Sequence, residues 1–387
     1  MITSVRCFIG RESGPPLCCY VMSLLEPGQL IRDTYEVERF LGEGAFAQVF
    51  RVKHRFLGRQ AMKVFKRTGI GIKEIHELLG EAILLSRIGH PNIVRVFDAN
   101  VFDSPAGRCG YFTMEHVPGG SLHKFWQSHG AKLVPLDTSL DLVQQVCRGM
   151  ALAHQETPPI VHRDIKPQNI LVGYEADGLR ARVSDFGLAK RVNPLTLLAT
   201  TAGTLCFKPP EAFRDRQGDS PASDVWAIGA TLYMLLTDQL PKGGQPTNGS
   251  MQSVKDAPPI TRPSEINPDA DRSLDSIVLR ALSPDPKARY PTAAELLADL
   301  EHWTPVPTER PAYSTPSGSE ASKSVLGLAP IRDDAAAQDF SRRAMEAKSA
   351  GRLAEAADLM EEAFNYSPDM RVKYERQVKL WRCGIAM

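Results

Sequence analysis

The sequence predicts an α+β fold, a strand-rich part followed by a longer helical part and a short α-hairpin. Three observations predict it. Alternating apolar and polar residues that suit strands crowd the stretch from Tyr35 to Met114. Helical periods dominate from Leu136 to His302. Near the start of the second part, the polar octapeptide His162-Arg-Asp-Ile-Lys-Pro-Gln-Asn169 lies between the apolar runs Ile160-Val161 and Ile170-Leu171-Val172. A polar loop fixed between two short buried strands suits an active site on a rigid scaffold.

Size and composition set the outer bounds. A chain of 387 residues suggests two domains, or one two-lobed domain with an appendage. Hydrophobic residues make up 43% and charged residues 24%, ordinary for a globular protein. The net charge of +1 argues against bulk attraction to nucleic acid or to a membrane, and neither is expected as a partner. No apolar run approaches the roughly 18 to 20 residues of a spanning helix, and the start has no secretory signal pattern. The expected location is cytoplasmic. The seven cysteines, at 7, 18, 19, 109, 147, 206 and 383, fit neither a zinc site nor a disulfide framework. Cys206, in a loop, is the one expected to be exposed.

Residues 1–29 read as a disordered leader. Arg11 to Cys19 has no period, and three cysteines lie before Met22 without a motif to use them. Met22 is therefore expected to be the natural start. Tyr35 to Leu41 alternates as a strand and leads into Leu41-Gly42-Glu43-Gly44-Ala45-Phe46-Ala47-Gln48-Val49. Gly-x-Gly alone is a weak signal. A dinucleotide-binding turn would open a helix, whereas here a second strand follows, to His54. Glycines in such a hairpin let backbone N–H groups approach phosphates with no Cβ in the way.

Ala61-Met62-Lys63-Val64 sets a lysine in an apolar strand, a costly placement unless the cation is paired. From Lys73 to Ile88 the residues Ile75, Leu78, Leu79, Ala82, Leu85 and Ile88 recur at helical spacing. Glu74, Glu77 and Glu81 on that helix are candidate partners for Lys63. Two further strands, Val94–Phe102 and Cys109–Met114, end at Met114-Glu115-His116-Val117-Pro118-Gly119-Gly120.

The helix Leu136–His154 leads to the polar octapeptide. About twenty residues later Val183-Ser184-Asp185-Phe186-Gly187 ends a strand with a second carboxylate. A loop with Thr196, Thr200, Thr201 and Thr204 runs on to Pro209-Pro210-Glu211. Helices follow at Asp224–Thr237, Leu274–Leu282 and Thr292–His302.

In this order, over about residues 30–303, the motifs resemble those of eukaryotic-like (Hanks-type) serine/threonine protein kinases. The resemblance implies the bilobal protein-kinase fold, ATP and Mg²⁺ (or Mn²⁺) as cofactors, and protein substrates. It implies that the hairpin from Leu41 to Val49 covers the phosphates, with Ala47 in place of the family's third glycine. Ala61, Met114 and Leu171 would line the adenine, and the backbones of Glu115 and Val117 would bond it. Lys63 would hold the phosphates and pair with Glu81, chosen for its distance from His90-Pro91-Asn92.

By the same resemblance Asp164 is the base, Lys166 offsets charge on the transferred group, and Asn169 and Asp185 hold metal. Lysine two places after the base is the Ser/Thr pattern. The Thr204 hydroxyl would bond the catalytic loop, Asp224 would pin its backbone, and Glu211 would pair with Arg289. Arg163 would receive a phosphate on Thr200, with Thr201 and Thr196 as further candidates. The alternative reading is a catalytically inactive kinase-fold scaffold. The joint presence of Lys63, Glu81, Asp164, Asn169 and Asp185 favours the enzyme.

Residues 304–331, rich in Pro and Ser, read as a linker. Residues 332–387 read as helical. Phe340, Ala344, Ala347, Gly351, Leu353, Ala356, Ala363 and Pro368 fit the register of one tetratricopeptide-like repeat. Such repeats need about three units to stand alone, so this one should dock on the kinase region, a second copy or a partner, or stay partly molten. With the linker between them, the segment is expected to be dispensable for catalysis.

Overall fold

The first lobe is built on a six-stranded antiparallel sheet: β1 (Leu30–Ile31), β2 (Tyr35–Glu43), β3 (Ala47–His54), β4 (Gly58–Thr68), β5 (Val96–Ser104) and β6 (Gly107–Glu115), in the order β1-β2-β3-β4-β6-β5. Helix α1 (Ile72–Ile88) joins β4 to β5. The computed structural model describes residues 23–44, 47–69, 71–104, 107–129, 133–175, 178–186, 206–213, 220–241, 259–305 and most of 334–381.

Side chains alternate across this sheet. Phe50, Val52, Met62 and Val64 face one side, with Ile31, Tyr35, Val37 and Tyr111. Ala47, Ala61, Phe112 and Met114 face the other, against Ile75 and Leu79 of α1. Strand register puts Arg39, Arg51, Ala61 and Met114 in one cross-strand row.

The leader departs from expectation. Leu25 is buried in the first of these cores. The Leu24 N–H donates to Gln48 Oε1 at 2.8 Å, and the Val37 N–H donates to the Gln29 carbonyl at 2.9 Å. Residues 23–29 thus belong to the small lobe, because the apolar outer face of the sheet needs cover. Residues 1–22, and with them the expected start at Met22, lie outside the described residues.

The large lobe comprises α2 (Leu122–Gln127), α3 (Leu136–Gln155), the hairpin β7 (Ile170–Glu175) and β8 (Gly178–Val183), then α4 (Pro221–Thr237), α5 (Pro263–Ile266), α6 (Arg272–Ala281) and α7 (Ala293–His302). Helix α4 is buried from Ala222 to Thr237, as befits a helix apolar on every side. A Ser220/Ser223 capping box starts it. Cys206 is buried, contrary to expectation: it packs beside α4, and its carbonyl accepts the Trp226 Nε1–H at 3.4 Å.

The tail forms α8 (Asp334–Ser349) and α9 (Leu353–Tyr366), joined through Gly351 at φ 73°. Ala344, Ala347, Ala356, Met360 and Ala363 pack closely with Val378 and Trp381 in a core of their own. This hairpin is not decoupled from the rest. Asp358 pairs with Arg51 at 2.9 Å and with Arg59 at 2.5 Å, and Glu362 pairs with Arg39 at 2.5 Å. Residues 306–333, which hold most of the expected linker, lie outside the described residues. Among the described residues no helix is long and apolar enough to cross a membrane.

Candidate active site

The catalytic-loop residues are held by a buried aspartate. Asp224, 1% exposed, accepts the His162 N–H at 2.7 Å on Oδ2 and the Arg163 N–H at 2.9 Å on Oδ1. Arg163 sits at φ 70°, a conformation that L side chains rarely adopt. His154 backs Asp224: its Nε2 lies 3.2 Å from Oδ2, while its Nδ1 accepts the Ala293 N–H. The His162 ring accepts the Asp164 N–H on Nδ1 and so donates from Nε2 to the Ser184 carbonyl at 2.7 Å. Its ring lies 4.6 Å from that of Phe186. These bonds fix the stretch carrying Asp164 to the stretch carrying Asp185.

Both oxygens of Asp164 are engaged. Lys166 Nζ lies 2.8 Å from Oδ2, and Asn169 Nδ2 donates to the same oxygen at 3.0 Å. Lys208 Nζ lies 3.1 Å from Oδ1. Burial alone would push the Asp164 carboxyl up, but Lys208 and Lys166 outweigh it and hold it below the ordinary carboxylate range. Sequence reasoning missed Lys208. Its only signal is a cation one residue before Pro209-Pro210-Glu211.

Across the cleft, Lys63 on β4 reaches Asp185 Oδ2 at 2.8 Å, which gives the half-buried ammonium its counter-ion. Asp185 stands at φ 68° where β8 ends. The Glu81 side chain, expected to pair with Lys63, lies outside the described residues. Glu74 instead pairs with Arg67 at 3.3 Å on the solvated face of α1.

Asp185 Oδ1 is buried with no hydrogen-bond partner among the described residues. Asn169 donates both its described side-chain bonds from Nδ2, to the Asp164 carbonyl and carboxylate, which leaves its amide oxygen as the acceptor end. One orphaned carboxylate oxygen and one amide oxygen fit a hard divalent cation that draws its other ligands from phosphates and water. Among the described residues no three His, Cys, Asp or Glu side chains cluster as a complete metal cage.

The residues expected to line the adenine lie together. Ala61, Met114 and Val117 share one apolar cluster with Leu41, Val49 and Leu171, drawn from both lobes. The Glu115 N–H donates to the Arg95 carbonyl at 2.9 Å, so only the carbonyl oxygen of Glu115 can serve a base. Its side chain turns to Arg182 at 3.2 Å. Gly119 is required here, because a Cβ would come within 2.2 Å of the Val172 carbonyl oxygen.

In the glycine hairpin, the Gly44 N–H donates to the Ala47 carbonyl at 2.8 Å. Among the described residues no atom lies within 4 Å of a Cβ added at Gly42. Glu43 pairs with Lys66. Gln48 turns its side chain away from the cleft, toward Leu24, and could serve a nucleotide only through its backbone. Ala45 and Phe46 lie outside the described residues, as do Thr196, Thr200, Thr201 and Thr204.

Below the cleft, Arg289, 2% exposed, holds Glu211 through two bonds of 2.6 Å. Ser223 adds a third bond to the same carboxylate at 3.2 Å.

Comparison with known proteins agrees with this geometry. The protein kinase domain model matches residues 35–300. A probable serine/threonine-protein kinase of Corynebacterium efficiens is 32% identical over 282 residues, covering 70% of this chain and 41% of that protein. The serine/threonine-protein kinase PknB of Mycobacterium tuberculosis is 32% identical over 277 residues, covering 70% of this chain and 43% of that protein. The chain therefore spans less than half the length of these relatives. The crystal structure of the PknI kinase domain of Mycobacterium tuberculosis superposes with a TM-score of 0.53 at 24% identity, over 72% of this chain and 98% of that one. With the family model covering more than half of the sequence, this chain belongs to the protein kinase family.

Proposed function

We propose that this protein is a serine/threonine protein kinase that transfers the γ-phosphoryl group of ATP to Ser or Thr hydroxyls of protein substrates. The observation that carries the reading is the convergence of Asp164, Lys166 and Asn169 on one side of the cleft with the Lys63–Asp185 pair that spans it. ATP with bound divalent cations supplies the phosphoryl group and offsets its charge.

The chain's own residues do the positioning. Asp164, ionised and oriented, accepts the hydrogen bond of the incoming hydroxyl and takes its proton as the new P–O bond forms. Lys166, 2.8 Å from Asp164, stands where it can meet negative charge on the group in flight. Lys63 orients the phosphates, and Asp185 Oδ1 with the Asn169 amide oxygen are the atoms that would hold Mg²⁺ or Mn²⁺. The adenine slot formed by Ala61, Val49, Met114 and Leu171 selects a flat base.

The reading extends to control by autophosphorylation. A phosphate on Thr200, Thr201 or Thr196 would add about −1.5 to −2 charge for Arg163 to receive. Thr204 would bond the catalytic loop, and Glu81 would join Lys63. A cytoplasmic location and partner binding through the C-terminal helices, including self-association, belong to the same reading.

The test is phosphoryl transfer from ATP to the protein itself and to a generic basic protein. Asp164→Asn should reduce turnover by at least about 10²-fold, in the range of losing a general base, while ATP binding stays within a few-fold. Wild-type turnover in Asp164→Asn would refute the assigned chemistry.

A further inference from the structure

Three arginines of the small lobe meet the tail. Arg39 on β2, Arg51 on β3 and Arg59 on β4 lie on adjacent strands, and the first two are direct cross-strand neighbours. Their side chains are 44%, 10% and 21% exposed. On β2 and β3 the acid that balances them is Glu38, 2.6 Å from Arg51 and 3.0 Å from Arg59. One carboxylate cannot neutralise three guanidinium groups, and half-buried cations left unmatched repel one another.

Helix α9 supplies the missing charge. Asp358 bridges Arg51 and Arg59, and Glu362, one turn later, takes Arg39. Residues four apart share one helix face, so a single acidic face of α9 lies across three strands. The opposite requirement, apolar cover for Ala356, Met360 and Ala363, is met within the hairpin. We propose that Arg39, Arg51 and Arg59 form a docking surface for an acidic helix, that α9 of the same chain is its occupant, and that docking tightens ATP binding in the adjacent cleft.

The link to the cleft is the strand register. Arg51 lies opposite Ala61, and Ala61 lies opposite Met114, both in the adenine-lining cluster. Arg59 stands two residues before Ala61 on the same face of β4, about 7 Å along the strand. His116, in the segment joining the lobes, lies among the same charges. Burial first, then Arg51, Arg39 and Arg59, hold its imidazole down to about 4.

Helix α9 thus ties β4 to β2 and β3, the strands that carry the glycine hairpin over the nucleotide site. A hairpin already ordered by α9 gives up less freedom when nucleotide binds, so the docked form binds ATP more tightly. This coupling rests on the ATP reading above, whereas the docking does not, and the experiment reads the two separately.

The full chain carrying Asp358→Lys is compared with the wild type. Phenylglyoxal labelling of Arg51 and Arg59, read by peptide mass spectrometry, reports docking. Calorimetric titration with Mg-ATP reports affinity. Undocking should raise labelling of both arginines and raise the Kd for Mg-ATP by about 5-fold or more, the usual lower range for coupled sites.

A second arm guards against simple misfolding. Glu362→Arg should show the same defects in milder form, and Arg39→Glu in that background should restore both readouts. Unchanged labelling in Asp358→Lys, or no rescue by the reversed pair, would overturn the docking. Raised labelling with unchanged ATP affinity would overturn the coupling. A wild-type chain that binds no ATP would instead sink the functional reading and leave the labelling result to judge the docking.

Discussion

Lys208 Nζ lies 3.1 Å from Asp164 Oδ1 and 2.6 Å from the Arg163 carbonyl oxygen, so the carboxylate assigned as base has a cation on each of its oxygens. The second lysine changes what the base can do. A carboxylate held below its ordinary range is a weak proton acceptor in the ground state and stays ionised, free to accept a hydrogen bond, throughout the neutral range.

Lys208→Met tests this assignment. Removing the cation raises the carboxyl, because the ionised form loses its nearest support on Oδ1. Activity that needs ionised Asp164 should then fall off at a higher pH on the acid side. The check is the pH profile of kcat/KM in wild type and variant. An acid limb that does not move would mean that Lys208 has no bearing on the base.

Asp224→Asn tests the pin beneath the loop. The amide keeps the volume but exchanges one acceptor oxygen for a donor nitrogen facing the His162 or Arg163 N–H. A buried donor without an acceptor costs about 1–3 kcal/mol, and the bond from its N–H to Asp224 helps to hold Arg163 at φ 70°. Urea unfolding should show a loss of about 1–3 kcal/mol. kcat should fall more than ATP affinity, since the displaced loop carries Asp164 and not the adenine slot.

The motifs themselves were legible because each carries a chemistry that its flanks cannot explain otherwise. A lysine in an apolar strand demanded a counter-ion and has one in Asp185. Glu211 and Arg289, 78 residues apart, meet as the family resemblance implied. The helices also lie close to where their periods put them, as with α3 at Leu136–Gln155. What stayed hidden depends on tertiary proximity. Nothing in the spacing of Asp358, Glu362, Arg51 and Arg59 marks them as partners. Only their meeting makes them a network. Leu25 was hidden for a related reason: a single leucine in a short, aperiodic leader carries no pattern, yet it fills the outer core of the sheet.

Glu211→Gln should strongly destabilise the large lobe. It leaves the Arg289 guanidinium, 2% exposed, without a matching charge. Breaking one side of a buried pair costs roughly 3–5 kcal/mol, and replacing both sides by apolar residues can cost much less. Unfolding of Glu211→Gln reads the unmatched cation, and Glu211→Met, Arg289→Met and the double variant Glu211→Met/Arg289→Met close the cycle. The double variant should be more stable than the sum of the single losses predicts. Strict additivity would show that the pair is not coupled.

The last prediction concerns acid stability and His116. Its imidazole is lowered from 6.5 to about 4, first by burial and then by Arg51, Arg39 and Arg59. In the unfolded chain the same ring takes up a proton near its ordinary value. As pH falls below that value, the unfolded state binds the proton and the folded state does not, so stability declines. The decline levels off near the folded value, where both states are protonated. At about 1.4 kcal/mol for each pH unit between the two values, the full loss is about 3 kcal/mol, of which about 2 kcal/mol has occurred by pH 5. His116→Gln removes the titrating group and should lower the pH sensitivity of the unfolding free energy between pH 7 and pH 5 by that amount. If the variant loses as much stability over that interval as the wild type, His116 is not the residue that carries the acid sensitivity, and the arginine cluster beside the hinge does not hold its ring neutral.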